Sequence, residues 1–302
     1  MKDFEYCTPK TLREAVSLLA EKGEDARVMA GGTDLIVQLR GKRFQPQRII
    51  DAKDIPELNE LSFGNRKGLV IGAAVPCWRI YNDAEVAARY PGLIDSASII
   101  GGIQIQGRAT FGGNLCNASP SADSTPILIA HSAICHVVGP EGKRSIPAAE
   151  FCVGPGKNAL KDGELLVSMQ LPANKKNQGS HYQRFIPRNE MDIAVVGVGS
   201  WVELANRGKE FKNAHIALGA VGPTPIVAQA ASEALVGQAV GEEAIAAAAE
   251  AAKAVASPIS DMRGPAEFRT HLVGVLVKRT LQGAIDRAKG KFVANAVQEA
   301  AG

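Results

Sequence analysis

Two glycine-bearing turns carry the residue types that could do chemistry: 31-GGTD-34 and the longer stretch 109-ATFGGNLCNASPSADSTPIL-128. Gly31 and Gly32 directly follow the apolar run 26-ARVMA-30 and precede Thr33, Asp34 and an apolar helix start, 35-LIVQL-39. Glycines there let backbone come close to a ligand, the helix start leaves N–H groups without intrahelical partners, and the threonine adds a hydroxyl. That combination suits a phosphate oxygen. A tight strand-to-helix connection is the plain structural alternative, and no G-x-G-x-x-G fingerprint supports an ordinary Rossmann dinucleotide site. In the longer stretch, Thr110, Gly112, Gly113 and Asn114 supply backbone and side-chain donors for a second anion nest, to which Ser119, Ser121 and Ser124 could add. Asp123 cannot hold a phosphate but can accept hydrogen bonds from ribose hydroxyls or a base amine. Two nests in separate lobes fit an extended dinucleotide diphosphate such as that of FAD better than ATP on one P-loop.

Three lobes of mixed helix and strand must position these turns. In the first, 1–57, Thr8 and Pro9 read as N-cap and first residue of a helix whose Leu12, Ala15, Val16 and Leu19 share a face and which Gly23 ends. Strands at 26–30 and 48–52 follow. The second lobe, 58–175, opens with a hairpin over 58–75, then a helix from Pro76, a helix over 92–102 running into the long loop, and a helix over 124–133. A hairpin over 134–147 and a strand over 164–172 close it. After a polar linker, 173–180, the third lobe (176–302) carries strands near 181–186, 192–204 and 211–221, then alanine-rich helices around 228–256 and 265–287.

Composition excludes several classes. With 302 residues, 46% hydrophobic and 22% charged, the chain can bury a large core. A formal charge of +3, from 34 basic and 31 acidic side chains, gives no field for nucleic acid. The start, 1-MKDFEYCTPK-10, lacks a secretory apolar core, and runs such as 69-LVIGAAV-75 are too short to span a membrane, so a cytoplasmic protein is expected. Cys7, Cys77, Cys116, Cys135 and Cys152 form no C-x-x-C pair, and the five histidines lack ligand spacing. Neither a disulfide framework nor a metal site within this chain is expected.

Four ordered motifs, 29-MAGGTDL-35, 110-TFGGNLCNASPSAD-123, 184-RFIPRNEMDIA-194 and 261-DMRGPAEFR-269, resemble the FAD-binding medium subunit of molybdenum hydroxylases, the xanthine dehydrogenase and aerobic carbon monoxide dehydrogenase family. The resemblance spans roughly residues 3–285. It implies an α+β protein: a two-lobed FAD-binding fold of the vanillyl-alcohol oxidase or p-cresol methylhydroxylase (VAO/PCMH) type, plus a C-terminal lobe of a small antiparallel sheet and helices. It places the diphosphate between Met29, Ala30, Gly31, Gly32, Thr33, Asp34 and Leu35 on one side and Thr110, Gly112, Gly113 and Asn114 on the other, with Asp123 as ribose or adenine-side acceptor. Leu166 and Arg184 match positions flanking the isoalloxazine; Arg184 stands where xanthine dehydrogenases tend to carry lysine, and either cation could stabilise a reduced flavin's negative charge. A surface salt bridge is the bland alternative for Arg184.

The resemblance further implies an electron-transfer role without a catalytic acid–base pair. Substrate chemistry would occur at a molybdenum-pterin cofactor on a large partner subunit, and electrons would cross two [2Fe-2S] clusters of a small partner to FAD here and on to an external acceptor, in a dimer of heterotrimers. Some positions depart from the pattern. Ile100 replaces an aromatic that stacks on the flavin in xanthine dehydrogenases, Ile193 a tyrosine of carbon monoxide dehydrogenases, and Gln106 a frequent arginine, with Arg108 retained nearby. No cysteine cluster matches the [4Fe-4S] loop of the 4-hydroxybenzoyl-CoA reductase branch. A stand-alone flavin-dependent reductase and a non-catalytic assembly subunit are the alternatives from other classes.

Overall fold

The structure, a computed structural model, describes residues 2–188, 191–291 and 293. Asn189 and Glu190 of the 184–194 motif and residues 294–302 of the expected third lobe lie outside the described residues.

The first lobe comprises β1 (Glu5–Cys7), α1 (Leu12–Lys22), β2 (Ala26–Met29), α2 (Leu35–Arg40) and β3 (Arg48–Asp51), with a parallel sheet in the order β1-β3-β2. Ala15, Val16 and Leu19 form the buried face of α1, as their spacing predicts. The N-cap differs from the expected Thr8. Thr11 accepts from the Glu14 amide at 3.2 Å while the Glu14 carboxylate accepts from the Lys10 amide at 3.0 Å. The T-x-x-E spacing of a capping box thus outweighed the Thr-Pro pair.

The second lobe runs through β4 (Leu61–Gly64), β5 (Gly68–Gly72), α3 (Cys77–Tyr81), α4 (Ala84–Arg89), α5 (Pro91–Ala97), α6 (Ile103–Gln106), α7 (Phe111–Asn117) and α8 (Ser124–Ala130). It continues with β6 (Ile134–Gly139), β7 (Gly142–Pro147), α9 (Ala148–Phe151), β8 (Cys152–Gly154), β9 (Lys157–Asn158) and β10 (Leu165–Leu171). Its five-stranded sheet, β4-β5-β10-β6-β7, is antiparallel throughout. The helix expected over 92–102 stops at Ala97, and the chain turns through Gly101, at φ 65°, before α6. The first half of the expected long loop is the helix α7. Glycines at 112 and 113 disfavour helix, but complete burial of Phe111 and Leu115 holds α7 in place.

The third lobe is an antiparallel sheet of β11 (Gln178–Phe185), β12 (Val196–Ala205), β13 (Glu210–Gly219) and β14 (Ile226–Val227), followed by α10 (Gln229–Glu233), α11 (Glu242–Val255) and α12 (Ala266–Ala288). The linker expected over 173–180 already becomes strand at Gln178, and β12 starts at Val196, leaving Asp192 to Val195 as loop. The helical region expected over 228–256 breaks between α10 and α11, where Gly237 takes φ 78°. One core joins the first two lobes and a second fills the third lobe between its sheet and α11 and α12. Among the described residues, no helix is long and apolar enough to cross a membrane.

Candidate functional site

A cleft of about 430 Å³ lies between the first and second lobes. Its walls bring together Met29 through Leu35, from the β2–α2 turn, with Ile100, Thr110, Gly112, Gly113, Asn114 and, from β10, Leu166. Residues 65 or more positions apart thus meet because the two turns touch. A Cβ on Gly31 would stand 1.9 Å from the Arg108 carbonyl oxygen, and Arg108 Nε donates to the Gly31 carbonyl at 3.1 Å. Only glycine permits that approach. Gly112 is similarly constrained, since its Cβ would lie 2.4 Å from the Ala73 carbonyl oxygen.

The backbone donors are arranged for a ligand rather than for each other. Among the described residues, the amides of Gly31, Gly32, Thr33, Asp34 and Gly112 donate to no protein acceptor. The Gly113 amide, expected to face a ligand, instead donates to the Thr110 hydroxyl at 2.8 Å, the N-cap of α7. Asn114 Oδ1 accepts from the Ser124 amide at 3.1 Å and hydroxyl at 2.6 Å, fixing α8 against α7 and leaving Nδ2 without a partner among the described residues. Asp34 is exposed at the cleft, yet the protein around it removes enough water to raise its carboxyl pKa. Ile100 and Leu166, both buried, supply apolar wall. A bulge between Leu166 and Ser168 breaks the β6–β10 ladder, and Val167 there accepts from the Ala73 amide at 2.9 Å.

Asp123, Arg184 and Ile193 are not on the cleft walls. Asp123 and Arg184 meet each other instead, at the junction of the second and third lobes. Arg184 Nη1 donates to one carboxylate oxygen at 2.5 Å and the Tyr182 hydroxyl to the other at 2.7 Å, with Asp123 only 6% exposed. Burial raises the Asp123 carboxyl pKa, against the opposing pull of Arg184 and Tyr182, and burial also pushes the Tyr182 hydroxyl well up. The expected ribose acceptor therefore has both oxygens engaged by protein. Ile193 is exposed on the loop before β12. Gln106, where an arginine is frequent, is buried and donates to the Ser98 carbonyl at 2.8 Å, bracing the turn that carries Ile100.

A second buried ionic group joins these two lobes. Arg287, near the end of α12, grips Asp95 of α5 with two nitrogens at 2.6 and 2.9 Å, and the Tyr182 amide donates to the same carboxylate at 3.0 Å. Sequence reasoning missed this group, the Arg108–Gly31 bond and the Gln38–Asn117 bond (3.1 Å) that links α2 to α7 across the cleft. Only the Arg108 position carried a sequence signal. Among the described residues, no group of three His, Cys, Asp or Glu side chains stands ready for a metal ion.

Residues 2–174 match the family described as FAD binding domain in molybdopterin dehydrogenase, and residues 181–284 the CO dehydrogenase flavoprotein C-terminal domain. The carbon monoxide dehydrogenase medium chain of Hydrogenophaga pseudoflava is 34% identical over 281 residues, 93% of this chain and 96% of that protein. The xanthine dehydrogenase FAD-binding subunit of Escherichia coli O157:H7 is 32% identical over 97% of this chain and 100% of its own length. Among solved structures, carbon monoxide dehydrogenase from Hydrogenophaga pseudoflava superposes with a TM-score of 0.90 at 34% identity, covering 95% of this chain and 98% of that one. Quinoline 2-oxidoreductase from Pseudomonas putida 86 gives 0.87 at 29% identity, covering 96% and 100%.

Proposed function

The chain belongs to the FAD-binding subunits of the molybdenum hydroxylase family, and from that premise we propose which of its residues hold the cofactor and what surrounds it. It is an oxidoreductase subunit whose work is electron transfer. When bound, FAD supplies a redox carrier able to accept electrons from one centre and release them to another. The cleft residues fit that group. The unpartnered amides from Gly31 to Asp34 and at Gly112 receive the diphosphate, with Thr33 and the Asn114 amide group adding donors. Ile100 and Leu166 line the isoalloxazine and keep water from its face. Asp123 and Arg184 act behind the site as a paired support rather than as separate contacts. The observation that carries this assignment is the direct contact of the two glycine turns, which places both sets of free amides on one cleft.

In this proposal the lobes are domains of 1–57, 58–175 and 176–302, a division supported by the separate sheets. The chain works beside a large molybdenum-cofactor subunit and a small subunit with two [2Fe-2S] clusters, as a dimer of heterotrimers. Support comes from relatives named as medium chains and from a solved relative described as a Cu,Mo-CO dehydrogenase. A cytoplasmic location fits the five free cysteines. The test is the absorption spectrum of the chain purified alone and with co-expressed partners, with flavin release and metal analysis. One FAD per chain, with iron and molybdenum only in the complex, is expected; no flavin in either preparation overturns the assignment.

A further inference from the structure

One wall of the cleft carries an aromatic and two cations that the diphosphate turns do not use. Phe44 lines the cleft with Arg27 and Arg43. The guanidinium carbon of Arg27 lies 4.9 Å from the Phe44 ring centroid and that of Arg43 5.6 Å. Phe44 packs on the small core of Met29, Leu39 and Ile49, which fixes the ring. Arg27 is anchored, its Nη1 donating to the carbonyls of Glu24 at 2.7 Å and Ala26 at 2.8 Å. Arg43 is exposed and its side chain has no hydrogen-bond or ion-pair partner among the described residues. Its Nη2 stands 3.4 Å from where a Cβ on Gly156 would be, so it reaches the second-lobe wall.

The fold places this group away from the flavin end. Helix α2 begins at the diphosphate turn, and its six residues advance the chain by roughly 9 Å. The Arg43 amide then donates to the Gln38 carbonyl at 2.9 Å, and the Gln38 side chain bonds to Asn117, the last residue of α7. Phe44 and Arg43 therefore lie beyond the far ends of the two helices whose starts face the diphosphate. Ile100, by contrast, precedes Gly101, whose carbonyl accepts from the Met191 amide on the third lobe at 3.2 Å.

We infer that Phe44 and Arg43 form the seat of the adenine, making the outer end of the cleft the feature that selects FAD over FMN. This rests on reading the cleft as the FAD site. A purine offers a planar π-face to any ring or guanidinium plane and needs no fixed hydrogen-bond pattern, which matches a wall with one aromatic, one anchored cation and one exposed cation. The contribution is separable from the diphosphate contacts because it touches only the half that FMN lacks.

The test strips flavin from the full chain and titrates it with FAD, FMN and ADP, following flavin fluorescence, for the wild type, Arg43→Ala, Phe44→Leu and Phe44→Ala. Stacking on a protein aromatic or cation sets the scale, so each variant is expected to weaken FAD by about ten-fold while changing FMN by less than about two-fold. ADP should compete with FAD in the wild type and lose that power in parallel. Arg43→Ala, at an exposed position, reads the contact without disturbing a core. Unchanged FAD affinity in Arg43→Ala and both Phe44 variants overturns the inference, as does equal weakening of FAD and FMN. A wild type that binds FMN and FAD equally well overturns it while leaving the flavin cleft standing. A wild type that takes up neither overturns the cofactor assignment itself and this inference with it.

Discussion

The second lobe meets the first across bare backbone and the third across buried charge. On the cleft side, Gly31 lies against the Arg108 carbonyl and several amides are left without protein acceptors among the described residues. On the other side, Asp95 and Arg287 pair where their side chains are 1% and 8% exposed, and Asp123 and Arg184 pair where theirs are 8% and 6% exposed. Backbone donors left open near solvent cost little until a ligand takes them, whereas an unmatched charge at such depth would be prohibitive. The first junction is built to be completed by something else, and the second is complete in the protein alone.

Two substitutions separate the two junctions, and a pH condition probes the burial of α8 beside them. Asp95→Ala strands Arg287 without its counter-ion, and loss of about 3–5 kcal/mol in urea unfolding is expected, with FAD content of the folded fraction unchanged. A loss below about 1 kcal/mol would show that the third lobe is held by apolar packing and not by the ion pair. Gly31→Ala drives a methyl onto the Arg108 carbonyl and should act in the opposite sense. Overpacking of this kind costs about 1–3 kcal/mol, to be read as a fall in FAD affinity of roughly ten- to a hundred-fold with little change in near-UV circular dichroism. Wild-type FAD affinity in that variant would break the contrast.

The smallest effect is a pH slope. His131, at the C-terminal end of α8, is buried with no partner for Nε2 among the described residues, and burial lowers its pKa from 6.5 to about 3. Below 6.5 the unfolded chain binds a proton that the folded chain refuses, so this contribution is intact above that pH and is lost as pH falls toward 3. About 1.4 kcal/mol per pH unit is expected from this ring. Urea midpoints at pH 7 and pH 5 should differ less in His131→Phe than in the wild type, and parallel slopes would assign the acid sensitivity to other groups.

The cleft was legible in the sequence because its donors are local: a glycine pair after a strand and a T-x-G-G-N turn announce their conformations within a few residues. Their short helices were less so. Helix α7 contains two glycines and forms because Phe111 and Leu115 are buried by distant parts of the chain. The pairing of Asp123 with Arg184 was obscured for the same reason, since nothing within either segment shows that one carboxylate will meet a guanidinium 61 residues away. Arg287 and Asp95 are separated by 192 residues, and no periodicity encodes such a pairing.

That separation sets an order of events during synthesis. Every residue on the cleft walls has left the ribosome once β10 has emerged, at Leu171, so both walls and their strands can assemble while the chain is still growing. The guanidinium that pairs with Asp95 follows only at the end of α12, more than a hundred residues later. The nascent protein therefore passes through a stage in which the cofactor's berth is available but the carboxylate of α5 is still hydrated. Within the chain, closure over that carboxylate waits for the end of the C-terminal helix to dock.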